Sequence, residues 1–201
     1  VLEPTAVARV EPVRETVEAK FEIDPRAVSA ERKVAALRGY EEAARKCAGE
    51  RAANTIANYV DSVAREVVCN TFGTLADSRM VRTLISTFIT TQDGDLRQMG
   101  YEMRGEQAGF ELVERTAAEE FSVRAAKRAV ALLGAKRAPA GKFPVVFHPS
   151  IAGLLAHEAI GHNAEADHVL AGTSIIEGKL GQKIAADCIT IVDDATLPNS
   201  W

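Results

Sequence analysis

The spacing of apolar residues along the chain predicts three kinds of segment in its first half. Residues 1–24 have weak periodicity and are rich in Pro, Glu and Val, so we interpret them as a linker or irregular lead-in. Helical spacing begins behind Asp24 and Pro25, an acidic N-cap followed by proline, and Gly49 stands near its end. A helix over residues 25–48 is therefore expected.

Residues 54–105 differ in composition, since they are rich in β-branched side chains and interrupted by polar turn sequences. Asp93-Gly94 separates two apolar runs, and residues 99–103 alternate between apolar and polar, which is typical of a hairpin. We predict three or four antiparallel strands that form a meander. Helical spacing then returns over residues 111–135, with Gly134 as the stop.

The last third of the chain mixes short apolar runs with glycine-rich sequence. Residues 142–149 and 184–196 each predict a short strand, and residues 154–168 predict a helix. Residues 171–183 between them are glycine-rich and predict a loop. The predicted fold class is α+β, an antiparallel β-meander with packed helices, with residues 25–201 as one domain.

Composition narrows the class of protein without identifying it. The 201 residues are 47% hydrophobic and 26% charged, as in ordinary globular proteins. A net charge of -4 gives no electrostatic reason to expect nucleic acid or an anionic membrane as a partner, and no apolar run is long enough to span a bilayer. Cys47, Cys69 and Cys188 are odd in number and widely spaced, which favours reduced thiols in a cytoplasmic protein, and Cys188 is expected in the core.

Two histidines in the predicted helix over residues 154–168 have metal-site chemistry but unusual spacing. His157 is followed by Glu158, as in the zinc-peptidase pattern H-E-x-x-H, yet His162 comes five residues later instead of four. In a regular helix that spacing turns the two side chains about 140° apart, so one ion cannot bind both. A π-bulge would restore a shared face, and Gly161 would lower its cost because glycine has no Cβ.

Acidic residues around the histidines could complete such a site. Glu158 could accept a proton from metal-bound water, and Glu165 and Asp167 could orient an imidazole as hydrogen-bond acceptors. Spacing alone leaves open an ordinary surface helix that carries His and Glu. The sequence Glu165-x-x-His168 also matches half of a di-iron motif, but no second copy follows.

The run from His157 to His162, with the trailing Glu165 and Asp167, resembles the H-E-x-x-G-H-x-x-E-x-D signature of the TldD/PmbA metallopeptidases. Flanking stretches follow the order of that family over most of residues 54–201. The resemblance implies a Zn²⁺-dependent peptidase acting on unfolded or short peptides, with both histidines as metal ligands and Glu158 as the base. It also implies a homodimer, or a heterodimer with a PmbA-like subunit, that encloses the sites.

The family takes a cysteine from its C-terminal half as the third ligand, and Cys188 lies in the wrong part of the pattern. We therefore expect an N-terminal fragment, truncated at its C-terminal end and inactive alone, of a TldD-like peptidase. The alternative is a non-catalytic scaffold or partner subunit of a TldD/PmbA-type complex, in which the motif persists without activity.

Overall fold

A computed structural model describes residues 11–194 together with residues 196 and 197. The chain forms two compact units, of which the first ends at Arg137 and the second covers Ala138–Leu197. The sequence led us to expect one domain over residues 25–201, whereas the structure shows a division near residue 137. Among the described residues, no helix is both long enough and apolar enough to cross a membrane.

The first unit is a four-stranded sheet with helices on one face. Its elements are β1 (Arg14–Val17), α1 (Ala30–Ala48), β2 (Ala52–Cys69), β3 (Leu75–Asp93), β4 (Leu96–Glu106), α2 (Glu111–Glu114) and α3 (Ala118–Leu133). Strands β2, β3 and β4 pair antiparallel in sequence order, so the predicted meander and α+β class are confirmed. The predicted hairpin is also confirmed, because Asp93 pairs with Leu96 across a turn in which Gly94 has a φ of +57°.

Three of the predicted boundaries were wrong in the first unit, and one of them is the helix expected over residues 111–135, which residues 115–117 divide into α2 and α3. Asp24 and Pro25 begin only a short 3₁₀ turn over Pro25–Ala27, and α1 begins at Ala30 behind Ser29, whose hydroxyl accepts the Arg32 N–H. The lead-in is not irregular throughout, because β1 pairs parallel with the start of β3. Strand β1 is exposed along its length and takes its hydrogen bonds from β3, so no apolar alternation marks it. Residues 1–10 lie outside the described residues.

The core of the first unit lies between the sheet and helices α1 and α3. Phe121, Ala125 and Ala129, spaced four residues apart on α3, are fully or almost fully buried, as the helical spacing predicted there requires. Ala125 and Ala129 pack with Ile89 in the C-terminal half of β3. The small side chains let α3 approach the strands closely.

The buried carboxylate of Glu111 connects two segments of this unit through hydrogen bonds. Its oxygens accept backbone N–H bonds from Ile23 at 3.0 Å and from Gly109 at 2.7 Å. Burial alone would raise the pKa of this carboxyl, but the backbone donors outweigh it and lower the pKa below its usual range. The charged form of Glu111 thus joins the segment before α1 to the start of α2.

The second unit contains short helical segments. They are α4 (Pro149–Ala156), a π-helical turn (His157–Gly161), α5 (His162–Ala164) and α6 (Ala166–Leu170). Residues 171–183 have only turns, as the glycine-rich sequence predicts. The two predicted strands were wrong, because residues 142–148 and the described part of residues 184–196 pair with no strand. A strand needs a neighbouring backbone for its hydrogen bonds, and Val146 is instead 99% exposed.

A substitution at Gly100 tests how closely α3 packs against the sheet. A Cβ at Gly100 would lie 2.1 Å from the Ala125 carbonyl oxygen and 2.8 Å from the Ala129 nitrogen, both backbone atoms. We predict that Gly100→Ala lowers the free energy of unfolding by about 3 kcal/mol, measured by urea denaturation. Gly39→Ala is the matched control, since Gly39 lies in α1 with no atom near the added methyl, and it should raise stability by about 0.5–1 kcal/mol. Equal effects of the two substitutions would contradict the close contact.

Candidate metal centre

The helix that leads into the motif begins at a capped N-terminus. His148 is the N-cap of α4, and its Nδ1 accepts the Ser150 backbone N–H at 3.3 Å. Pro149 occupies the first turn, where its missing N–H costs no hydrogen bond. The helix ends at Ala156, and His157 is its C-cap.

The motif itself forms the π-helical turn that its spacing predicted. The backbone N–H of His162 bonds the carbonyl of His157, five residues earlier. The extra residue is absorbed in this turn, so the predicted bulge is confirmed. Gly161 has an ordinary helical φ of -52°, and a Cβ there would lie 3.5 Å from His157 Nδ1, in normal contact. The expected conformational role of Gly161 was therefore wrong; the structure instead gives it a place against the His157 ring.

The turn brings the two motif histidines to the same side. The ring centroids of His157 and His162 are 4.5 Å apart, with the planes inclined at 67°. A Glu158 oxygen lies 3.7 Å from His162 Nε2. One ligand atom from each of these three residues lies within 4.8 Å of the other two, which is compact enough for one metal ion.

Glu165 and Asp167 differ in what they contact. The backbone turns to extended φ and ψ at Glu165, which ends α5 and directs the Glu165 side chain back to His162. Glu165 Oε1 lies 2.9 Å from His162 Nδ1, while Asp167 Oδ1 accepts the backbone N–H of His168 at 2.9 Å. Glu165 thus contacts a motif imidazole, and Asp167 stabilises the start of α6.

Asn163 is a site residue that the sequence reasoning missed. Its side-chain amide donates to the Ala159 carbonyl inside the π-helical turn at 3.0 Å, and its carbonyl oxygen accepts the Ile175 N–H at 3.1 Å. The Ser174 hydroxyl also donates to the Asn163 backbone oxygen at 2.6 Å. The turn and the glycine-rich loop are therefore connected through one residue. The only sequence signal was a polar residue immediately after the second histidine.

The donor atoms suit zinc, since imidazole nitrogen and carboxylate oxygen are both common zinc ligands. The His162 side chain is 44% exposed and that of Glu158 is 59% exposed, so water can reach both groups. In the portion of the chain that the structure describes, two clusters could bind a metal: His157, Glu158 and His162, and His162, Glu165 and His168. Cys188 belongs to neither, and it is exposed where a core position was expected.

Comparison with known proteins matches both units to one family. Residues 23–133 match the profile of the PmbA/TldA metallopeptidase central domain, and residues 140–201 match that of its C-terminal domain. The boundary between the two matches coincides with the boundary between the compact units at residue 137. The two matched parts are thus a central and a C-terminal domain of the family, whereas the sequence led us to expect an N-terminal fragment.

Individual relatives agree with that match. A metalloprotease from Methanothermobacter thermautotrophicus is 38% identical over 144 residues, which cover 72% of this chain and 32% of the relative. A metalloprotease TldD homolog from Buchnera aphidicola subsp. Schizaphis graminum is 45% identical over 62 residues, 31% of this chain and 13% of the relative. The matched residues therefore cover at most about a third of the length of these two relatives.

A solved structure shares the fold. The crystal structure of a candidate modulator of a DNA gyrase from Thermotoga maritima superposes with a TM-score of 0.69 at 25% sequence identity. The match covers 86% of this chain and 39% of that one. Profile matches over both units, the relatives and the shared fold agree, and the chain belongs to the TldD/PmbA family of metallopeptidases.

Proposed function

We propose that the full-length protein is a zinc-dependent peptidase that hydrolyses unfolded or short peptides, with His157 and His162 as zinc ligands and Glu158 as the general base. The observation that carries the proposal is the π-helical turn, which brings the two imidazoles within 4.5 Å and keeps the Glu158 carboxylate beside them. Family membership and the metalloprotease descriptions of the relatives support the same chemistry.

Each residue has a separate task in this mechanism. Zinc bound at this pair would polarise the peptide carbonyl and lower the pKa of a bound water to about 7. Glu158, with an oxygen 3.7 Å from His162 Nε2, would be placed to take a proton from the attacking water. The same carboxyl group would return that proton to the leaving amine, as the water oxygen bonds the carbonyl carbon and the peptide C–N bond breaks.

Glu165 fixes the orientation and tautomer of His162. A carboxylate can only accept, so the 2.9 Å contact requires a proton on His162 Nδ1. The lone pair of a neutral ring is then on Nε2, on the side of Glu158. Outer carboxylates of this kind raise the basicity of a ligating imidazole and hold its ring in place.

Further elements of the proposal concern the whole protein. A third ligand, expected to be cysteine, and a homodimer or a heterodimer with a PmbA-like subunit follow from the family resemblance. A reducing compartment such as the cytoplasm is supported by the free, exposed thiols of Cys47, Cys69 and Cys188. The competing function is a non-catalytic partner subunit, which would have the fold without zinc-dependent cleavage.

Replacement of the base separates the two functions. We predict that Glu158→Gln in the full-length protein lowers kcat for a short fluorogenic peptide by about 10²–10⁴-fold, because the variant loses the proton acceptor. Zinc content, measured by mass spectrometry, should stay within twofold of wild type. Glu177→Gln is the matched control, an exposed acid of the same unit, and should cleave normally. Unchanged cleavage by Glu158→Gln, or a wild-type protein that binds no zinc, would contradict the peptidase proposal.

The role of Glu165 is tested by zinc affinity. We predict that Glu165→Ala weakens zinc binding about 10–100-fold in chelator competition, since His162 loses its orienting acceptor. Glu165→Gln keeps an oxygen acceptor and should lose less. Asp167→Asn is the control for the second motif acid. The zinc affinity of this variant should change by less than threefold, because Asp167 contacts a backbone N–H and not an imidazole. Equal losses in the Glu165→Ala and Asp167→Asn proteins would refute the distinction.

A further inference from the structure

The Glu165 carboxylate lies between two imidazoles, and only one of them belongs to the motif. Oε1 accepts the His162 Nδ1 proton at 2.9 Å, whereas Oε2 is 3.6 Å from Nε2 of His168. The second separation is too long for a hydrogen bond. His168 lies in α6 and has no part in the proposed hydrolysis, so its approach to the free oxygen of Glu165 needs a separate explanation.

The contacts of His168 with Thr173 favour one tautomer of its ring. The Thr173 hydroxyl donates its single proton to the His168 backbone oxygen at 3.1 Å. Thr173 Oγ1 also lies 3.1 Å from His168 Nδ1, and it can act there only as an acceptor. In the tautomer that satisfies both Thr173 contacts, Nδ1 donates to Oγ1 and Nε2 presents its lone pair to Glu165 Oε2.

Two acceptor atoms that face each other can be stabilised by a cation between them. Ligands on a tetrahedral zinc ion, at about 2.0–2.2 Å from the metal, are about 3.4 Å from each other. The 3.6 Å between Glu165 Oε2 and His168 Nε2 is close to that value. Both side chains are 46% exposed, so an ion can reach them from solvent and keep water as its remaining ligands.

We propose that Glu165 Oε2 and His168 Nε2 bind a second divalent transition-metal ion, weaker than the one at His157 and His162. The two sites share the Glu165 carboxylate. One of its oxygens accepts the His162 Nδ1 proton, and the other binds the second ion. His162 keeps its Nδ1 proton, and its Nε2 remains available to the first ion. This binding site goes beyond the proposed peptidase activity and does not require it.

The test is a titration of the full-length, tag-free protein, stripped of metal, with Zn²⁺ in chelator competition and with Co²⁺ by absorption spectroscopy. We expect two equivalents in the wild type. His168→Phe and His168→Gln should each weaken the second equivalent at least tenfold and leave the first within threefold. His157→Ala should remove the first equivalent and keep the second, which separates this site from the peptidase site. His148→Phe is the matched histidine control and should keep both.

A single wild-type equivalent that His157→Ala removes would overturn the second site, as would a second equivalent that persists in both His168 variants. Circular dichroism of each variant checks that the fold is retained. A single wild-type equivalent that survives His157→Ala and is lost in both His168 variants would instead refute the His157–His162 pair and leave the Glu165–His168 site standing. The failures of the two proposals are therefore distinguishable.

Discussion

The site depends on one backbone hydrogen bond, from the His162 N–H to the His157 carbonyl, which spans five residues instead of four. In a regular α-helical turn, His157 and His162 would point about 140° apart and could not share an ion. With it, their ring centroids are 4.5 Å apart. The Asn163 amide, bonded to the Ala159 carbonyl, supports the turn from within. A rare backbone geometry thus brings the two proposed metal ligands together.

The two compact units stabilise their structure in different ways. In the first, α3 contacts the strands at backbone distance, because Gly100 has no side chain and Ala125 and Ala129 have small ones. In the second, no described residue is fully buried, and local hydrogen bonds such as those of Asn163 and Thr173 determine the path of the chain. A motif in such a unit is exposed to solvent, which suits exchange of metal, water and peptide.

Sequence patterns predicted those features that are specified locally. The meander and the Asp93-Gly94 hairpin follow from alternation and turn chemistry, and the π-helical turn follows from the five-residue spacing of two histidines. Features that depend on a distant partner were missed. Strand β1 is defined by its pairing with β3, and the apolar run around Val146 forms no strand because no described strand pairs with it. Glu165 reaches His162 through a backbone break that no composition rule marks.

The most direct test of the π-helical metal pair is anomalous diffraction at the zinc edge from crystals of the zinc-loaded, full-length protein. We predict one zinc peak bonded to nitrogen atoms of both His157 and His162, at about 2.0–2.1 Å, with the His162 N–H still bonded to the His157 carbonyl. Zinc bound to one of these histidines alone, or a regular α-helical turn between them, would contradict the central claim.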